Sequence, residues 1–124
     1  MNIVHVIDSG GLYGAEVVLI NLMEAQRDMG MSTFLLNIST ICSGNMTIER
    51  ELRKRKIHIL ERKFGKGLNI NAILKTLGEL KMMGIDIIHS HGYRANIMLG
   101  IIPKRIRKIP VVTTIHGWTA VNVV

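Results

Sequence analysis

Cysteine is almost absent. Cys42 stands alone, which excludes an internal disulfide and leaves no Cys-x-x-Cys pair for zinc or redox chemistry. Aromatic residues make up only 4%, and without a recognisable binding motif this argues against nucleic acid as a partner. No apolar run approaches the roughly 18 residues of a membrane span. Met1 to Asp8 lacks a basic leader and is too short an apolar stretch for a signal peptide. A cytoplasmic chain, at most peripheral at the inner membrane face, is the expectation. There is no repeat, no low-complexity tract and no linker, so the 124 residues read as one domain.

What is present is ordinary globular material, 48% hydrophobic and 20% charged. That suffices for one core, and a chain of this size buries roughly two-thirds of its unfolded surface. The net charge of +7 is concentrated in three clusters. They are Arg50 with Arg53 to Lys56, Arg62 with Lys63 and Lys66, and Lys104 and Arg105 with Arg107 and Lys108. Such a surface favours anionic partners, an anionic membrane surface among them, although a charge run is commonly just a solvated face.

Strand and helix alternate throughout. Asn2 to Ile7 is an apolar run ending at the turn cluster Asp8-Ser9-Gly10-Gly11. A helix from Gly14 carries Ala15, Val18, Leu19, Leu22, Met23 and Gln26 on one face, and Gly30 stands where a left-handed cap is needed. Thr33 to Ile38 reads as a strand covered on both faces. A short helix over Met46 to Lys56 turns Ile48 and Leu52 inward, and Ile57 to Leu60 is a third strand. Ile70, Ile73, Leu74, Leu77 and Leu80 mark the next helix, ended by Gly84. Asp86 to Ser90 is strand four, Tyr93 to Ile101 a helix, Pro103 to Ile109 a basic connector and Val111 to Ile115 strand five. This implies a Rossmann-like α/β/α sandwich with a mostly parallel five-stranded sheet, order 3-2-1-4-5. Strands one and four then adjoin where the winding reverses, and their C-terminal ends border the ligand crevice of such folds.

Three segments end there. Gly10, Gly11, Tyr13, Gly14 and Glu16 join strand one to its helix, where glycines and free N–H groups suit an anion. The spacing is not G-x-G-x-x-G, strand two ends without a carboxylate for a ribose, and no P-loop occurs. His89 and His91 share a strand face, so they suit a metal, with His116 as a third ligand, or acid/base work. Metal-dependent amidohydrolases use His-x-His at the strand that opens their barrel, whereas this pair follows three strand-helix units. Packing is the favoured role for His89, and His91 at the strand mouth is the functional candidate. His116, Gly117 and Trp118 follow strand five; Trp118 serves either as a lid or as core packing.

Together, Ser9 to Glu16, Asp86 to Gly92 and Val112 to Trp118 resemble, in order and spacing, the N-terminal acceptor-side domain of family 4 glycosyltransferases, the retaining enzymes of GT-B architecture. The resemblance covers essentially the whole chain. It implies sugar transfer from a nucleotide-sugar donor to an acceptor with retained configuration, in glycan biosynthesis, with no metal or other cofactor. By the same likeness Gly10 and Gly11 approach the donor diphosphate, His91 faces the sugar, and His116 lines the cleft on the acceptor side. The family keeps its nucleotide pocket and a Glu-x7-Glu signature in a second domain. Glu16 and Glu24 have that spacing only by their place on the first helix. The expectation is therefore a truncated N-terminal half, inactive alone, whose exposed fifth strand and Val121, Val123 and Val124 promote self-association. The alternative is a non-catalytic module that binds a phosphorylated ligand or a partner chain in the same crevice.

Overall fold

A computed structural model describes residues 1–9, 14–39, 47–62, 64 and 69–115. Its strands are β1 (Asn2–Ile7), β2 (Ser32–Asn37), β3 (His58–Leu60), β4 (Ile87–His91) and β5 (Val111–Thr114). Its helices are α1 (Gly14–Asp28), α2 (Ile48–Lys54), α3 (Ile70–Met82), α4 (Tyr93–Gly100) and α5 (Lys104–Arg107). The sheet order is β3-β2-β1-β4-β5, and every pairing is parallel. The expected topology is therefore present, and β1 is central because the chain leaves it through α1 to β2 on one side and returns from β3 through α3 to β4 on the other.

Each helix has a local reason to begin or stop. The Thr47 side chain accepts the Arg50 amide at the start of α2 and Asn69 accepts the Ala72 amide at the start of α3, satisfying donors that have no partner inside the helix. Acidic Glu49 and Glu51 in the first turn of α2, with Arg53 and Lys54 in its last, oppose the helix dipole at both ends. Gly30 and Gly84 take φ of 90° and 76°, the left-handed cap conformation that costs a side-chain-bearing residue more. The basic connector is partly helical: α5 ends at Lys108, itself left-handed with φ 61°.

Two apolar layers flank the sheet. Beneath α3 and α4, Val4, Val6, Leu36 and Ile88 pack with Ile73, Leu77, Leu80, Met98 and Leu99. On the other face Ile7, Leu35 and Ile57 meet Leu19, Ile20 and Met23 of α1 and Ile48 and Leu52 of α2. Two helical faces differ from the sequence reading. Val18 is exposed while Glu16 and Ile20 are buried, so the inward stripe of α1 is rotated. Glu16 is accommodated in that stripe because the Ser9 hydroxyl donates to its Oε1 at 2.9 Å. In α3, Ile70 and Leu74 are exposed and Thr76 is buried; the Thr76 hydroxyl donates to the Ala72 carbonyl, so it enters the apolar layer satisfied.

The basic clusters are partly internal to the fold. Arg53 pairs with Glu61, Lys54 with Glu51, and Arg55 with both Glu24 and Glu51, which fastens α2 to α1. Arg107 donates to the carbonyls of Ile109, Leu99 and Ile102, closing the turn before β5. Lys63, Lys66 and the three terminal valines lie outside the described residues.

Candidate functional site

The site grows from the ends of three neighbouring strands. In the β1–β4 register Ile7 lies opposite His91, so the last residue of β4 meets the last of β1. Asn37 ends β2 and clips the chain leaving β1: it accepts the Ser9 amide at 3.0 Å and donates to the Ser9 carbonyl at 2.9 Å. Arg94, in the first turn of α4, donates to the Ile38 carbonyl at 2.7 Å and lies 3.5 Å from Asp8. A hollow of about 170 Å³ opens between these ends, with Asp8, Glu16, His91, Gly92, Tyr93 and Arg94 in its wall. This is the crevice that parallel α/β sheets use for ligands.

Below the rim runs a row of histidines. His5, His89 and His91 project from one sheet face, because β1 and β4 are in register with His5 opposite His89 and side chains alternate along a strand. His5 and His91 are buried, with exposures of 0% and 2%, and His89 is half-buried. His5 Nε2 meets Gln26 Oε1 of α1 at 2.7 Å, and His5 Nδ1 meets His91 Nε2 at 3.1 Å. If Nε2 donates to the Gln26 carbonyl, Nδ1 is the acceptor for the His91 N–H. His89 Nε2 lies 2.6 Å from Thr114 Oγ1, and its ring stacks on His91 with centroids 4.1 Å apart. The pKa of His5 falls to about 4, chiefly because burial penalises the imidazolium; the Gln26 contact opposes this and His89 adds to it. His5 is therefore neutral at physiological pH.

Sequence reasoning placed His91 and Glu16 at this rim, and both line the hollow, with Gly14 beginning α1 beside it. Gly10, Gly11, Tyr13, His116, Gly117 and Trp118 lie outside the described residues. His91 belongs to the strand proper, since β4 extends to it. His89, read from the sequence as a hydrogen-bonded packing residue, lies beside Thr114 Oγ1 in the fold. The third histidine beside His89 and His91 among the described residues is His5. It was hidden in an apolar run, although its alternation with Ile3 and Ile7 puts it on the His-x-His face once β1 and β4 adjoin. Asn37 and Arg94 gave no motif signal, because their partners, main-chain atoms of Ser9, Ser39 and Ile38 and the side chains of Glu49 and Asp8, are brought to them only by the tertiary fold.

The sequence pattern described as Glycosyltransferase Family 4 matches residues 13–122. The chain belongs to this family. Among solved structures it is similar to MurG of Acinetobacter baumannii, TM-score 0.65 at 16% identity, covering 92% of this chain and 34% of that one. It is also similar to Alr3699/HepE of Anabaena, solved in complex with UDP, TM-score 0.63 at 20% identity, covering 91% of this chain and 29% of that one. The family 4 chain thus spans about a third of the length of these structures, and at such identities the likeness carries the fold. No curated protein matches it.

Proposed function

We propose that this family 4 domain supplies the acceptor side of a retaining sugar transfer from a nucleotide-sugar, working with a separate donor-binding domain. The observation that carries the reading is the juncture of Ile7, Asp8 and Glu16 with His91 and Gly92 around one hollow at the C-terminal ends of β1 and β4. In this reading His91 faces the sugar, and the chain around Gly10 and Gly11 meets the diphosphate. His116, Gly117 and Trp118 complete the cleft. N–H dipoles and an imidazole held in place favour the charge that develops on a departing diphosphate and on an oxocarbenium-like carbon. The UDP bound by the Anabaena protein makes a uridine nucleotide the first donor to try.

The polar faces of α4 and α5 extend the proposal. Ile101 and Ile106 are exposed beside exposed Lys104, Arg105 and Lys108. Apolar side chains among lysine and arginine suit the surface of an anionic bilayer, which would bring a lipid-linked acceptor to the domain.

The test is an amide-resolved NMR titration of the chain with UDP-glucose and, separately, UDP. Weak, saturable shifts confined to Asp8, Ser9, Glu16, His91 and Gly92 are expected, with no sugar released from the isolated chain. Shifts gathered instead in the groove of Asn37, Glu49, Arg53 and Arg62 at the β2–β3 end, or none at millimolar ligand, would refute the assignment.

A further inference from the structure

We propose that His5, His89 and His91 bind one borderline transition-metal ion, Zn(II) foremost, and so clamp β1 to β4 beneath the rim of the crevice. Each residue offers one ring nitrogen, and the three atoms lie within 4.8 Å of one another. His5 Nδ1 and His91 Nε2 are 3.1 Å apart. Two nitrogens on a tetrahedral zinc stand about 3.3 Å apart, given Zn–N bonds of about 2.0–2.1 Å. The pair is already near that edge length, and a small opening admits the ion.

The outer contacts are those of ligating histidines. A metal-bound imidazole is oriented by a partner on its other nitrogen. Gln26 Oε1 holds His5 Nε2 at 2.7 Å, and Thr114 Oγ1 holds His89 Nε2 at 2.6 Å. The geometry therefore assigns Nδ1 of His5 and Nε2 of His91 as ligands, with a ring nitrogen of His89 as the third. All three come from two hydrogen-bonded strands in fixed register, so little ordering remains to be done on binding. Three imidazoles select zinc, copper or nickel over magnesium or calcium, which want oxygen.

The proton balance closes without a co-reactant. The hydrogen shared between His5 Nδ1 and His91 Nε2 leaves that pair, and His91 carries it on Nδ1 instead. The shift releases no net proton from the pair. An approach exists from the half-buried His89, whose register partner Val112 is 51% exposed. Every ligand is present in this chain, and His91 is shared with the wall of the crevice above.

The experiment strips the 124-residue chain with chelator, then titrates Zn(II) by calorimetry and Co(II) by visible absorption. Expected are one ion per chain, a rise in melting temperature with metal, and the absorption of a nitrogen-rich tetrahedral Co(II) centre. His5→Gln and His89→Ala should each weaken binding at least tenfold. Gln26→Leu, which removes only an outer contact, should weaken it about ten- to a hundredfold. His58→Ala, an exposed histidine on β3, should change nothing. If His5→Gln fails to fold, the half-buried His89→Ala carries the comparison. No uptake by the parent chain overturns the proposal. So does uptake that persists in His89→Ala, or that disappears in His58→Ala.

Discussion

Acidification should weaken this fold through one buried ring. The His5 pKa drops from 6.5 to about 4 on folding. Between those values the unfolded chain takes up a proton that the folded chain refuses. Protonation therefore favours unfolding, and stability falls as pH falls from 6.5 towards 4, with no further loss from this group below that. At one pKa unit per 1.36 kcal/mol, the full cost is about 3 kcal/mol, of which about 2 kcal/mol has appeared by pH 5. That is a large share of the ~5–15 kcal/mol that holds a small domain together. The measurement is urea unfolding at pH 7.5 and pH 5.0, both in chelator, for the parent chain and for His5→Gln. Carboxylates titrate mainly below this window, and they contribute alike to both proteins. The parent should lose about 2 kcal/mol more than the variant. NMR should find the His5 ring proton flat from pH 8 to 5.5. Equal losses in the two proteins, or a His5 midpoint near 6.5, would refute the reasoning.

Two further substitutions test the scaffold of the site. Asn37→Ala removes the reciprocal pair with Ser9 and the acceptor for the Ser39 amide; it should cost about 2 kcal/mol and speed hydrogen exchange at Ser9, and a loss below a quarter of that would mean water replaces the side chain. Lys108→Gly relieves a left-handed lysine and should raise stability by about 1 kcal/mol, read from the urea midpoint; an unchanged or lower midpoint would show that flexibility in the unfolded chain cancels the gain.

The parallel sheet was legible because its signals are local. Apolar runs of strand length, caps such as Gly30 and Gly84, and helices of period 3.6 suffice to order the elements, and right-handed crossovers leave few topologies. The inward faces were less legible. Val18 and Leu74 satisfy the helical period yet point outward, because the period does not fix which stripe is buried, and Glu16 and Thr76 take inward places with their polar atoms satisfied by Ser9 and Ala72. The site was half legible. His91 announced itself by standing at a strand end next to glycine. His5 did not, because a lone histidine between valines reads as one polar residue in an apolar strand, and its meaning comes only from the register that sets it against His89 and His91.

That register also explains why the two sides of the sheet are built differently. Under α3 and α4 the apolar layer continues from β2 across β1 to β4, through Leu36, Val4, Val6 and Ile88. On the α1 side it continues from Leu35 only as far as Ile7, and three imidazoles take the place that aliphatic side chains would fill. Burying a polar ring without partners costs more than it returns, so the seam is tolerable only because Gln26 and Thr114 satisfy it. Stability is thus lodged mainly on the α3–α4 side, while the α1 side gives up apolar contact to hold a nitrogen-rich surface under the crevice. A domain selected for stability alone would have no use for that exchange, whereas one that must present His91 in a fixed orientation needs it.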